Sequence, residues 1–457
     1  MNNKNNSLTE GHILSALVKM ALPIMGTSFL QMAYNLTDMI WIGRVGSSSV
    51  AAVGTAGFYI WLSFSLIMIS KTGAEVLVAQ GIGSQRFSDA RNAARSALQL
   101  NFVMALIYGV LILLFKDPMI RFFNIPDPAV NDMAISYLSI IGYGTVFMFS
   151  PPVFSAIFNG SGDSRTPFRI NTIGLIANMI LDPLLIFGLG PVPALGVNGA
   201  AIATIASQAI VTLVFLVELQ TNKTAFGHVN FLRKPNFDHI NRIVKMGLPT
   251  ACNSALFTFF SMVLARIIAQ WGPLPIAVQK VGSQIESISW MTASGFSVAI
   301  SAFFGQNFGA GNWDRLWKGY STSLRIALIL GAFNTLLLIL GAAPIFAIFI
   351  PEADAIRLGI DYLQILGVSQ LFMCIEITTA GAFNGLGKTM PPSIVSIAFN
   401  ALRIPMALYF SQPEVWGLNG VWWSITISSI FKGVILVIWY QFHIRKYPEM
   451  QYYRSTL

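Results

Sequence analysis

The sequence predicts an all-α integral membrane protein with twelve transmembrane helices arranged as two six-helix lobes. Composition, the number of long apolar segments and an internal repeat support this prediction. Of the 457 residues 54% are apolar and only 10% are charged, whereas a typical soluble domain carries about 25% charged residues. So few charges do not cover the surface of a soluble protein of this size. They also exclude a disordered chain, which needs low hydrophobicity and high charge.

Long apolar segments recur along the whole chain, and each is long enough to cross a bilayer, which takes about 20 residues. None shows the period-2 alternation of a porin strand, so the segments indicate helices and not a barrel. The candidate spans are residues 15–43, 51–79, 95–116, 134–158, 168–189, 197–219, 243–270, 281–305, 320–347, 359–386, 393–411 and 418–442.

The basic residues indicate an orientation. The formal net charge is +9, and most Lys and Arg residues lie at the termini or in loops that follow even-numbered helices, as Arg86, Arg165 and Lys388 do. Excess positive charge marks cytoplasmic loops, so we expect a multi-pass protein of the cell membrane with both termini in the cytoplasm. It does not indicate nucleic-acid binding, which needs a solvated basic face. Two cysteines in apolar stretches offer no metal framework, and we expect neither a metal nor a cofactor.

An internal repeat divides the chain into two halves. VKMALP at 18–23 recurs as VKMGLP at 244–249, FNGSG at 158–162 as FNGLG at 383–387, and GVNG at 196–199 as GLNG at 417–420, with offsets of 226, 225 and 221. The prediction is an N-lobe at 1–219, a cytoplasmic linker at 220–242 and a C-lobe at 243–457. Because each half has six spans, the repeats are parallel and related by a pseudo-two-fold axis along the membrane normal. Some transporters share this plan, which favours transport over a duplicated structural scaffold.

The two halves differ most in their buried carboxyl groups. A polar stripe at helical spacing runs along the first helix and includes Tyr34 and Asp38. In the fifth helix Asn178 and Asp182 share a face. Both carboxyl groups are absent from the second half: Asp38 corresponds to Leu264 at the offset of 226, and Asp182 corresponds to Ile404 when Pro183 is aligned with Pro405. The second half carries other membrane-depth charges, whose role as an internal network or a cavity lining stays open: Glu286, Glu376 and Arg403.

An ionisable group at bilayer depth is a functional-site hypothesis by default, because burying it is costly. Asp38 and Asp182 therefore predict either a proton-exchange site or, with amide and hydroxyl oxygens, a cation site. Thr204 and Gln208 in the sixth helix are positioned to complete such a network or to form ordinary interhelical hydrogen bonds. The alternative is that Asp38 lies in the interface near a helix end and that Asp182 caps a break at Pro183.

Further residues of the first half are candidates for substrate contact or movement. Flexible, polarizable methionines accommodate varied apolar ligands, although many simply pack. Pro23 lies inside the first helix, four residues before the polar stripe, and predicts either a hinge or a static kink. The candidates for substrate contact are Gln31, Met32, Asn35, Asn171 and Met179.

Several motifs together resemble the multidrug and toxic compound extrusion (MATE) transporters. They are the 6+6 parallel duplication, the Leu-Pro pair in the first helix of each half, the AQxxG motif at 79–83 and the NGSGDSRTP segment at 159–167. The resemblance covers essentially the whole chain. Asp38 and Asp182, each with a polar residue one turn before it (Tyr34 and Asn178), resemble the DNA-damage-inducible-protein-F branch of bacterial and archaeal members.

The resemblance implies two lobes that alternate between outward- and inward-facing states and exchange organic cations or amphipathic drugs for a coupling cation. It implies that Tyr34, Asp38, Asn178, Asp182 and Thr204 form the proton or cation site of the N-lobe. We therefore expect a monomeric proton-coupled drug exporter in which protonation of Asp38 drives substrate release, with bending near Pro23. The norfloxacin-resistance branch instead carries its sodium-binding acids in the C-lobe.

Three alternatives remain at the level of the sequence. One is a sodium-coupled drug antiporter. Another is a lipid-linked oligosaccharide flippase, for which the acidic membrane-depth charges of the first half are unfavourable. The third is a membrane-embedded enzyme, although the chain contains no HExxH or GxSxG motif. The sequence identifies neither the substrate nor the coupling ion.

Overall fold

The computed structural model describes residues 8–123, 125, 127–188, 193–221, 229–231, 233–349 and 352–447. Residues 222–228 and 232 of the predicted linker lie outside this part. Within it all regular secondary structure is α-helical. The helices are α1 Ile13–Val45, α2 Ser47–Gly83, α3 Phe87–Arg121, α4 Pro128–Gly160, α5 Arg165–Phe187, α6 Gly196–Thr221, α7 Phe237–Ala269, α8 Pro273–Gly309, α9 Trp313–Leu340, α10 Ala342–Phe349, α11 Ala353–Gly367, α12 Gln370–Gly385, α13 Met390–Phe410 and α14 Leu418–Ile444.

The helices confirm the predicted all-α membrane fold. In the described ranges eleven helices are long and apolar enough to cross a membrane, and the pair α11 and α12, bent by 45°, supplies a twelfth span. The structure differs from the expected spans in two places. The span expected at 320–347 is interrupted at Gly341, which separates α9 from the short α10. The span expected at 359–386 bends after Gly367, since glycine is a poor helix former.

Helix α3 shows how these residues suit a lipid environment. Its buried positions are mostly small, including Ala94, Ala97 and Ala105. Many of its large apolar side chains point outward, with Ile107 56% and Leu114 69% exposed. Small residues at helix contacts let backbones approach closely, and large apolar residues on the outer face suit lipid. A soluble helix normally has the opposite pattern.

By packing, the described chain forms two compact units, and two helices contribute to both. Met1–Met25 groups with Cys252–Leu457, and Gly26–Ala251 forms the other unit. We call the former the C-unit and the latter the N-unit. Their membership departs from the repeat boundaries, because α1 begins in the C-unit and α7 begins in the N-unit. Each change of unit comes within three residues after a helical proline, Pro23 or Pro249.

The repeat seen in the sequence recurs as a packing contact inside each unit. Gly160 of the FNGSG motif lies so close to α2 that a Cβ atom there would sit 2.5 Å from the backbone oxygen of Glu75. Gly385 of the FNGLG motif has the same relation to the backbone oxygen of Ser301 in α8. Glu75 and Ser301 are themselves related by the repeat offset of 226. The motif is therefore a close helix contact in both halves.

Candidate functional site

The five residues expected to form a proton or cation site lie in one cluster within the N-unit. Asp38 comes from α1, Asn178 and Asp182 from α5, and Thr204 from α6. The Asp38 carboxyl interacts with the side chains of all three other residues. Tyr34, one turn before Asp38, is 8% exposed and is also close to Thr204. Three helices therefore bring together residues that are up to 170 positions apart in the chain.

Hydrogen bonds hold the cluster. The amide Nδ2 of Asn178 donates to Oδ1 of Asp182 at 3.1 Å, and both side chains are fully buried. The Tyr34 hydroxyl and the Ser207 hydroxyl lie 3.0 Å apart and share a hydrogen bond. Ser207 also donates to the backbone oxygen of Thr204 at 2.8 Å. These contacts fix the two polar helix faces relative to the carboxyl groups.

Four buried oxygen atoms in this cluster have polar neighbours but make no hydrogen bond of good length and angle among the described residues. They are Oδ1 of Asp38, Oδ1 of Asn178, Oδ2 of Asp182 and Oγ1 of Thr204. Burying a polar atom without a partner is costly, and such atoms in a folded protein call for an explanation. Carboxylate, amide and hydroxyl oxygens are the ligands of hard cations, and a carboxylate also takes a proton.

The charge balance of the cluster is unusual. Asp38 and Asp182 interact with each other and with the side chain of Asn178, and Asp38 also interacts with the hydroxyl of Thr204. None of these described groups is basic. Two carboxylates this close disfavour each other's ionisation. The pair therefore needs a proton or a cation to be stable in a buried position, and it suits reversible binding of either.

A cleft next to the cluster contains part of the expected substrate site. It is lined by the polar side chains of Gln31, Tyr34 and Asn171, so Tyr34 faces both the cleft and the carboxyl cluster. Thr27, Leu30, Gly174, Leu175, Gln208 and Val211 complete the lining. Gln31 and Asn171 both line this cleft, and their role in substrate contact stays a prediction.

The other three expected substrate residues lie outside this lining. Asn35 accepts a hydrogen bond from Gln31 Nε2 at 3.3 Å. Met179 is 47% exposed on α5, and Met32 is partly buried on α1. Their role in substrate contact stays a prediction, as does the hinge at Pro23, which lies within the continuous helix α1.

Two residues of the cluster were not identified from the sequence. Ser207 lies three residues after Thr204 on α6, so helical spacing from Thr204 was a usable signal for it. Tyr137 of α4 is 3% exposed and lies within electrostatic range of Tyr34, Asp38 and Asp182. It lies in a long apolar span, and no pattern distinguished it from a core tyrosine.

The membrane-depth charges of the second half form a separate network in the C-unit. Both carboxylate oxygens of Glu286 accept hydrogen bonds, one from the Tyr362 hydroxyl and one from Gln370 Nε2, each at 3.0 Å. Glu376 forms an ion pair with Lys432 at 3.1 Å. Arg403 donates to the hydroxyls of two serines of α14. Each of the three charges thus has polar partners in the C-unit, and both possibilities left open by the sequence, an internal network and a cavity lining, stay predictions.

Comparisons with known proteins agree with this architecture. The MatE family model matches residues 23–184 and 249–409, one stretch in each half of the chain. The chain belongs to the MatE family. The resemblance to MATE transporters expected from the motifs is thereby confirmed, and the two matched stretches correspond to the two halves of the repeat.

Individual members of the MatE family are similar over nearly their whole length. "Probable multidrug resistance protein NorM" of Thermotoga maritima is 29% identical over 94% of this chain and 92% of its own. A "FAD transporter" of Shewanella oneidensis is 25% identical over 94% of each. The solved structure "MATE in complex with MaL6" has a TM-score of 0.90 at 24% identity, covering 97% of this chain and 99% of that one.

The relatives of this MatE protein are named as transporters or resistance proteins. The expectation that the chain is a transporter and not an enzyme agrees with these names.

Proposed function

We propose that this MatE protein is a proton-coupled antiporter that exports organic cations and amphipathic drugs. The observation that carries the proposal is the N-unit cluster, in which two buried carboxyl groups have no basic neighbour among the described residues. Each carboxyl group has one unpartnered oxygen, and the unpartnered oxygens of Asn178 and Thr204 lie beside them. The name of the Thermotoga maritima relative supports drugs as the substrate class.

Coupling requires that proton and substrate stabilise different conformations, because a ligand shifts an equilibrium only by its differential affinity for the two states. In the proposed cycle protonation of Asp38 rearranges its contacts with Asp182 and Asn178. Tyr34 transmits this change to the cleft, since its side chain belongs to both. A change in the direction of α1 near Pro23 then lowers the affinity for substrate, and proton loss on the cytoplasmic side resets the site.

The test is efflux of a fluorescent organic cation from proteoliposomes, with pH and sodium gradients imposed separately. We expect the pH gradient to drive efflux by the natural protein, and Asp38→Asn and Asp182→Asn to abolish that response at equal protein incorporation. Asp132→Asn, an exposed carboxyl group at the start of α4, is the matched control and retains it. Undiminished pH-driven efflux in both cluster variants refutes the proposal.

Sodium is the second candidate for the coupling ion. The four unpartnered oxygens include amide and hydroxyl ligands, which a proton does not need and a hard cation does. If the sodium gradient alone drives efflux, and if Asp38→Asn and Asp182→Asn abolish that efflux, sodium is the coupling ion. We found no specific contact that favours a lipid-linked oligosaccharide among the described residues of the cleft.

We also propose the cellular setting expected from the sequence. In this proposal the protein is a monomer in the cell membrane with both termini in the cytoplasm, and the distribution of Lys and Arg supports that orientation. Reporter fusions at each end, active only on the cytoplasmic side, test the orientation. The carboxyl pair of the N-unit supports placement in the DNA-damage-inducible-protein-F branch, and the repeat supports lobes at 1–219 and 243–457 with a linker at 220–242.

A further inference from the structure

A group of basic side chains lies at the end of the N-unit that the distribution of Lys and Arg assigns to the cytoplasm. Arg95 belongs to the third turn of α3, and Arg233 belongs to the segment before α7. His239 and Arg242 lie in the first two turns of α7. Arg95 interacts electrostatically with Arg233 and with His239, and His239 also interacts with Arg242. We call these four residues the Arg95 cluster.

Hydrogen bonds fix the segment before α7 beside Arg95. Gln99 lies one turn after Arg95 on α3, and its Nε2 donates to the backbone oxygen of Arg233 at 2.9 Å. Asn236 caps α7, since its Oδ1 accepts a hydrogen bond from the backbone nitrogen of His239 at 3.2 Å. The backbone that carries Arg233 and His239 is therefore held in place.

Arg95 is buried without a counter-charge. It is 6% exposed, and its Nε makes no hydrogen bond among the described residues. The described charged groups that interact with it are Arg233 and His239, and no acid is among them. Asp89 and Asp238 interact with His239 instead. A buried arginine normally has a partner, and Nδ1 of His239 is also buried without one among these residues.

The corresponding end of the C-unit contains an arginine whose donors are used. Arg315 lies at the start of α9, which the repeat offset of 226 relates to α3. Its guanidinium donates to three backbone oxygens of residues 8–11 at 2.7–3.1 Å and to Asn307 Oδ1 at 3.2 Å. At the same offset Arg95 corresponds to Ser321. Arg95 thus differs from an arginine that serves to hold a backbone segment.

We propose that the Arg95 cluster is a binding site for a phosphate group. A guanidinium binds phosphate oxygens through two parallel hydrogen bonds. A phosphate monoester carries about −1.5 to −2 charge at neutral pH and three acceptor oxygens, so it offsets the repulsion between Arg95 and Arg233. The first turn of α7 adds the partial positive charge of a helix N-terminus. Arg233 and Arg242 are exposed, so a ligand reaches the cluster from solution.

The phosphate group comes either from a lipid of the cytoplasmic leaflet or from a soluble phosphate ester, and two probes separate these sources. Calorimetric titration of the purified full chain, in a neutral detergent at constant ionic strength, measures the Kd of dioctanoyl phosphatidic acid and of glycerol 3-phosphate. Binding of phosphatidic acid alone identifies a lipid headgroup, whereas comparable binding of glycerol 3-phosphate identifies a soluble ester. Dioctanoyl phosphatidylcholine, which lacks a phosphate monoester, is expected not to bind.

Two arginine variants assign the binding to the cluster. Arg95→Gln removes the buried guanidinium, and we expect the Kd of the phosphate monoester to rise about 10- to 150-fold, because hydrogen bonds between charged groups are lost. Arg91→Gln is the matched control. It removes the same charge one turn earlier on α3, where the side chain is exposed, and is expected to raise the Kd about fivefold or less.

Three results overturn the proposal. One is a natural protein that binds neither phosphate monoester, or that binds phosphatidylcholine as tightly as phosphatidic acid. Another is a folded Arg95→Gln protein with unaltered affinity. The third is equal weakening by Arg95→Gln and Arg91→Gln, which indicates attraction to a basic surface without a site. If Arg95→Gln does not fold, the exposed Arg233→Gln replaces it; we expect a Kd at least about threefold above that of Arg91→Gln, and equal values overturn the proposal.

Discussion

Asn178→Leu tests how the N-unit cluster controls its carboxyl pair. Asn178 Nδ2 donates to Asp182 Oδ1 at 3.1 Å, and both residues are fully buried, so water does not replace the lost donor. Leucine has the same number of side-chain heavy atoms but a larger volume, so some loss of stability from overpacking is expected as well. A hydrogen bond to an ionised group is worth about 1.5–3 kcal/mol, and each 1.4 kcal/mol is about tenfold in affinity. The expected change in cation affinity is therefore about 10- to 150-fold.

The direction of the change depends on the coupling ion. The amide donor stabilises the ionised carboxylate, so its loss makes proton binding tighter. For proton coupling the pH of half-maximal transport rises by about 1–2 units. For sodium coupling the variant also loses Asn178 Oδ1, an unpartnered oxygen of the cluster, and more sodium is needed. The assay is the initial rate of fluorescent-cation efflux from proteoliposomes across a series of pH values and of sodium concentrations.

Asn400→Leu is the matched control, because Asn400 corresponds to Asn178 in the repeat. Its Nδ2 donates to the Ser396 hydroxyl at 3.2 Å, and Ile404 stands where the N-unit has Asp182. We expect a comparable loss of thermal stability in both variants and an altered ion dependence in Asn178→Leu alone. Equal ion dependence in the two variants, or none in either, refutes the reasoning.

Three further changes probe the same architecture. Tyr34→Phe removes the hydroxyl that bonds Ser207, and we expect it to lower the stability of the protein by about 0.5–1.5 kcal/mol. Thermal unfolding measures this loss, and an unchanged Tm contradicts a stabilising role for that hydrogen bond. Gly385→Ala places a methyl group 2.5 Å from a backbone oxygen, and we expect this overpacking to destabilise the protein by about 1–3 kcal/mol. The control is Gly43→Ala, whose added methyl group meets no atom within 4 Å. Thermal unfolding of both variants measures the difference, and equal Tm values contradict the close contact at Gly385. Pro23→Ala restores a backbone donor inside α1 and is expected to slow transport while equilibrium binding of the fluorescent cation stays intact; normal transport rates contradict a hinge at that position.

Much of the architecture was accessible from the sequence because it depends on local patterns. Apolar segments of about 20 residues predicted the spans, and collinear motifs predicted the two halves. Helical spacing placed Tyr34 and Asp38 on one face of α1, and Asn178 and Asp182 on one face of α5. The bend between α11 and α12 was missed, since the apolar character of the chain continues across it and hydropathy does not record a change in helix direction.

What the sequence by itself determined is which residues are costly to bury: three acids in the first half (Asp38, Glu75 and Asp182), one of them a helical turn after Lys71, and two acids with an arginine in the second. Which of them have partners was decided by the tertiary structure, because interhelical contacts join residues far apart in the chain. Lys432 illustrates the difference, since its ion pair with Glu376 spans 56 positions of the sequence. Packing also brought Tyr137 and Ser207 to the carboxyl pair of the N-unit while leaving that pair without a base among the described residues. Burial makes any charge expensive, and only the folded neighbourhood determines whether a side chain or an ion from solution balances it.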